Sequence, residues 1–150
     1  KNKEKLAEFT RNVYKEIKGR IYQSISKIYK LPKGYLEKIP IYLVDYLPSQ
    51  FPNTITLGAY VSIKDRYGNI LYQAILIPKY LLHKPYLFFK TLFHELVHAA
   101  QDFYGKLKEK AYRNFYEYLN DENEKEAERI SNLALLNLLS KSHYARMYLL

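Results

Sequence analysis

Phe93-His94-Glu95-Leu96-Val97-His98-Ala99-Ala100-Gln101 lies within a stretch, residues 86–104, that contains neither Pro nor Gly. Pro85 precedes it and Gly105 follows it. That is the punctuation of a helix: the first position tolerates a missing N–H, and the residue past the end takes a left-handed conformation. Leu87, Thr91, His94, His98 and Gln101 recur at helical spacing on one side. Residues four apart share a helix face, so both imidazoles can reach one cation and Glu95 can reach a water on it. Zinc takes neutral imidazole nitrogens at about 2.0–2.1 Å and, in catalytic sites, keeps one position open. The plain alternative is a buried helix with two hydrogen-bonded His and an incidental Glu. The HExxH spacing favours the metal.

Outward from this helix, the chain reads as α+β. Leu6, Phe9, Val13, Ile17, Ile21, Ile25 and Ile28 step by three and four, which predicts a long N-terminal amphipathic helix ending at Leu31-Pro32. Three β-rich runs follow, at residues 39–44, 54–63 and 70–77. Pro40 suits a strand start or a sheet edge. The turn Lys64-Asp65-Arg66-Tyr67-Gly68-Asn69 predicts that the last two runs form a hairpin, giving a three-stranded, mainly antiparallel sheet. A mixed stretch connects Lys106 to about Asn120. A last helix, residues 121–141, carries Asp121 as its N-cap. No repeat or linker divides residues 1–150, so a single domain is expected.

Two His do not complete a catalytic zinc site, so a third protein ligand is required. Glu122, Glu124, Glu126 and Glu128 all fall in the first turns of the last helix. At about 100° per residue, Ala127, Glu128, Ser131, Ala134, Leu135, Leu138 and Leu139 lie within roughly 80° of Glu124, whereas Glu126 points roughly 160° away. Glu124 thus heads the apolar stripe. An acid there is costly unless it is paired or bound to a metal. Glu124 is the favoured ligand and Glu126 its rival; Glu128, one turn on, is placed to accept a hydrogen bond from a ligand His. Attraction to the positive helix end explains why acids gather here. It does not explain why two of them share the apolar stripe.

Composition narrows the chemistry. The chain has no Cys, which removes thiolate zinc ligands, thiol catalysis and disulfides together, and suits a reducing, cytoplasmic setting. The longest apolar runs are too short to span a bilayer, and Lys1-Asn2-Lys3-Glu4-Lys5 is no signal-peptide core. Net charge is +9, and residues 1–38 hold eleven Lys/Arg against four Asp/Glu. A basic arm for nucleic acid or an anionic membrane is one reading; a solvated helix face is the blander and preferred one. The 17 Tyr are spread along the chain without a stacking platform, so nucleic acid is not the expected partner.

HELVH followed by Glu124-Lys125-Glu126-Ala127-Glu128 resembles the gluzincin metallopeptidases, whose glutamate helix carries an E-x-x-A-D/N-like pattern. The small size and element order are similar to the soluble minigluzincins, over roughly residues 39–139. Glu128 stands where that family has Asp or Asn. The metzincin extension is absent, with Gln101 in place of its Gly and Tyr104 in place of its third His. The resemblance implies a zinc peptidase acting on peptide or protein substrates, with Glu95 as general base and His94, His98 and Glu124 as ligands. It also implies a cleft rimmed by a strand, from residues 54–63 or 70–77, that binds substrate by strand addition.

Tyr104, Tyr112, Tyr116 and His143 are candidates for an additional oxyanion donor, and the sequence does not choose among them. His83 lies outside the helix and is read as structural or exposed. The apolar tail, residues 142–150, either extends the last helix or lies in the cleft as an inhibitory segment. Two rival functions remain in view: a catalytically silent zinc module that uses the basic first helix for interaction, and a nucleic-acid-binding domain with an incidental HExxH.

Overall fold

Apolar spacing of three and four produces the first element. In a computed structural model, which describes residues 2–108 and 110–141, helix α1 runs Asn2–Tyr29 and buries Ala7, Thr10, Val13, Ile17, Ile21, Tyr22 and Ile25. It ends without a glycine. Lys30 takes φ +51°, and Leu31 N–H closes on Ser26 O at 3.0 Å just before Pro32, the bond pattern of a Schellman stop.

Three strands follow: β1 Ile41–Val44, β2 Ala59–Lys64 and β3 Ile70–Pro78. Their order is β1-β3-β2. Strand β3 is central, with Ile75 opposite both Ile41 of parallel β1 and Tyr60 of antiparallel β2. The longer of the two pairings is therefore the expected hairpin, and the sheet as a whole is mixed. At the hairpin turn, Asp65 accepts from the N–H groups of Tyr67 and Asn69 at 2.9 Å. Gly68, at φ +85°, supplies the left-handed residue the turn requires.

Strand pairing begins only at Ala59, whereas the β-rich run begins at residue 54. Gly58 explains the offset. A Cβ there would lie 2.5 Å from Thr91 Cγ2 and 3.3 Å from Glu95 Oε2, so the backbone is pressed against the HExxH helix just before it joins the sheet.

Helix α2, Pro85–Phe103, has Pro at its first turn; Gly105 at φ +71° follows it, and Lys106 N–H reaches Gln101 O at 2.9 Å. Every residue from 91 to 102 is buried except half-buried His94. A helix apolar nearly all round needs partners on every side. Here α1, strands β2 and β3, and the C-terminal helix α4 (Glu122–Lys141) supply them. Ile75, Ile77, Leu92, Phe93, Leu96, Leu135 and Ile21 form the centre of that core.

The connection before α4 contains a short helix, α3, Phe115–Leu119, which the aromatic-rich sequence conceals. Its signal is Asn114-x-x-Glu117. The Asn114 side chain caps Glu117 N–H at 2.9 Å, and Glu117 reaches back to Arg113 N–H. Among the described residues, no helix is long and apolar enough to cross a membrane.

Candidate metal centre

The central turns of α2 place His94 and His98 one above the other, with ring centroids 4.9 Å apart. The first turn of α4 meets them. Asp121 caps that helix, accepting from Asn123 N–H at 2.9 Å and Glu124 N–H at 3.2 Å, and Lys110 holds its other oxygen at 2.6 Å. This fixes the phase of α4. Glu124 then points at the imidazoles, with Oε1 3.2 Å from His94 Nε2 and Oε2 3.0 Å from His98 Nε2.

One donor atom from each of His94, His98 and Glu124 lies within 4.8 Å of the other two. A tetrahedral ion with bonds of about 2.0–2.1 Å separates its ligand atoms by roughly 3.4 Å, so the three side chains can take up a metal ion with small adjustments. Two imidazole nitrogens and one carboxylate form a mixed nitrogen and oxygen donor set that a divalent metal ion could take.

Glu126, the rival by sequence, faces elsewhere. It accepts from Tyr29 Oη at 2.6 Å and from Gln101 Nε2 at 2.9 Å. Glu128 lies beside His94, Oε2 at 3.6 Å from Nδ1, while Lys90 holds its other oxygen at 2.6 Å. Burial opposes ionisation of Glu124, but hydrogen bonds to His94 and His98 outweigh it and hold the carboxyl well below its ordinary range. For His98, burial disfavours the cation. The hydrogen bond to Glu124 and the charges of Glu95 and Glu124 outweigh that and raise its pKa to about 9. In the metal-free protein the Glu124 carboxylate and the His98 imidazole thus share a proton where a cation would sit.

Glu95 is buried on the other flank of the same turn, against Gly58 and the Tyr60 backbone. Burial pushes its carboxyl up, more than the neighbouring His94 and His98 pull it down. It lines the same cleft as the three metal-ligand candidates without joining them.

Of the tyrosines singled out by sequence, Tyr104 donates to the Lys30 carbonyl at 2.9 Å and so anchors the end of α1. Tyr116 is exposed. Tyr112 lines the cleft, packed edge-on against Tyr118, and burial raises its hydroxyl to about 12. His83 is half-buried in a 3-10 turn, Lys79–His83. His143 and the rest of the tail, residues 142–150, lie outside the described residues. The residue that sequence reasoning passed over is Tyr118, on α3, whose hydroxyl donates to Glu124 Oε1 at 2.7 Å.

The cleft runs beside β2. Strand β3 is paired on both sides, which rules it out as a rim, whereas β2 pairs with β3 alone and keeps one edge free among the described residues. The Tyr60 hydroxyl donates to buried Asp102 at 2.7 Å, and Lys64 pairs with the same carboxylate. These two contacts pin β2 to α2. No family model, curated protein or solved structure matches the chain.

Proposed function

We propose that this protein is a zinc-dependent peptidase of the gluzincin type, similar in plan to the minigluzincins. The observation that carries this reading is the position of Glu124. A carboxylate from a helix near the far end of the chain reaches both HExxH imidazoles at 3.0–3.2 Å, and Glu95 lies buried alongside.

Zinc held by His94, His98 and Glu124 would supply Lewis acidity and a water whose pKa is lowered towards neutrality. The chain's own groups do the rest. Glu95, its proton affinity raised by burial, takes a proton as the water attacks the scissile carbonyl and passes it to the departing amine. Glu124 is aimed by Tyr118 and by the Asp121 cap. The free edge of β2 offers backbone N–H and C=O groups to an extended peptide beside the site, and the Lys64–Asp102–Tyr60 contacts fix its distance from α2.

The test compares peptide hydrolysis by the zinc-loaded protein and its Glu95→Gln variant. The reading predicts equal zinc content and a rate lower by at least about 100-fold in the variant. Undiminished hydrolysis in Glu95→Gln would contradict it. A native protein that binds zinc but cleaves no peptide would favour the silent module instead.

A further inference from the structure

Gln101 is fully buried three residues beyond His98 on α2. Its Nε2 donates to two groups that can only accept, the Asn123 carbonyl at 3.1 Å and Glu126 Oε2 at 2.9 Å. A carbonyl and a carboxylate leave the amide one orientation, since its flipped form would set oxygen against oxygen. Gln101 Oε1 must therefore face His98 Nδ1, 2.8 Å away. An amide oxygen cannot donate, so Nδ1 must carry the proton. In a neutral imidazole that leaves Nε2 bare, and Nε2 is the atom directed at Glu124 and the candidate metal position.

From this chain of forced donors and acceptors, we infer that Gln101 and Glu126 are positioning residues that lock His98 in the tautomer and ring orientation needed to bind metal through Nε2. The inference rests on the metal reading above and adds two residues to it. The lock extends one step further, because Tyr29 at the end of α1 donates to the same Glu126 oxygen at 2.6 Å. Glu126, which the helix phase directs away from the metal, thereby acts on the site through Gln101. His94 has a looser partner: Glu128 is exposed, stands 3.6 Å from its Nδ1 and is shared with Lys90. The two ligand His are thus held unequally, and the buried one is held by an amide that cannot turn.

The experiment measures zinc affinity by chelator competition and records the His98 Nδ1 proton by long-range 1H–15N correlation in the zinc-loaded protein. Gln101→Met keeps the volume and removes the hydrogen bonds. It should weaken zinc binding about 10–100-fold and let the Nδ1 proton, no longer hydrogen-bonded, exchange rapidly with water. Glu126→Leu leaves Gln101 in place and removes one of the two acceptors that orient its amide. It should weaken zinc binding by about tenfold and speed the exchange of the Nδ1 proton with water. Native affinity, or an Nδ1 proton that still exchanges slowly with water, in Gln101→Met would overturn the proposal. If Gln101→Met does not fold, Glu126→Leu decides alone, and native zinc affinity with native Nδ1 exchange in that variant would also overturn the proposal. Failure of the native protein to bind zinc would instead bring down the metal reading itself.

Discussion

Tyr118 donates its hydroxyl proton to Glu124 Oε1 across 2.7 Å, so a helix of five residues helps to aim the third candidate ligand. The same hydroxyl is held far above its ordinary range by burial and by the charge of Glu124, and it acts as a donor throughout the neutral range. Tyr118→Phe keeps the ring, which packs against Phe51 and Phe115, and removes only the hydrogen bond. Zinc affinity should fall about tenfold with thermal stability of the metal-free protein nearly unchanged. Chelator competition and a melting curve measure the two separately.

The glutamates of α4 should separate by role. Glu124→Ala leaves two His, an incomplete site, and should remove stoichiometric zinc. Glu128→Ala removes a partly exposed partner of His94 and should cost about tenfold in affinity. Loss of zinc in Glu128→Ala with retention in Glu124→Ala would show that the ligand is the wrong carboxylate.

Gly58→Ala tests how closely the cleft wall approaches the catalytic candidate. The new Cβ would stand 2.5 Å from Thr91 Cγ2, a buried branched side chain with little room to yield, and 3.3 Å from Glu95 Oε2. Overpacking of this kind costs about 1–3 kcal/mol. Hydrolysis should fall more than zinc affinity does, because Glu95 is displaced and the ligands are not. Stability and kcat identical to the native protein would show that the wall is looser than described.

Asp121 gives a pH dependence whose sign can be worked out. Burial raises its pKa, but the Lys110 hydrogen bond and the backbone N–H groups of Glu124 and Asn123 lower it further, so the folded value lies below the ordinary one. Such a group contributes stability that is full above the unfolded pKa of about 3.9 and is lost as pH falls through the folded value. Asp121→Ala should cost about 1 kcal/mol at pH 7. The difference between native and variant melting temperatures should shrink over the acid window below about pH 4. A difference that stays constant over that window would exclude the linkage.

Much of this arrangement was legible in the residues, for identifiable reasons. Pro85 and Gly105 mark the ends of α2 because each acts through its own backbone, and Asp121 marks the start of α4 because its carboxylate caps the N–H groups just ahead of it. The phase of α4 separated Glu124 from Glu126 because a helix converts sequence spacing into direction without help from tertiary contacts. What stayed hidden depended on distant partners. The parallel pairing of β1 with β3 joins Ile41 to Ile75, and no local turn announces it. Helix α3 lies in a stretch that reads only as a mixed connection until the Asn114 cap is considered. Tyr118 and Gln101 gain their roles only when α3, α2 and α4 converge, and no spacing rule links residues so far apart.

The most direct test of the central claim is the zinc content of the purified protein by elemental analysis, alongside His98→Ala and Glu124→Ala prepared identically. One zinc per chain in the native protein, and a small fraction of that in either variant, is the predicted result. A native chain without zinc after exposure to the metal, or stoichiometric zinc retained in both variants, would contradict the assignment of His94, His98 and Glu124 as a metal centre.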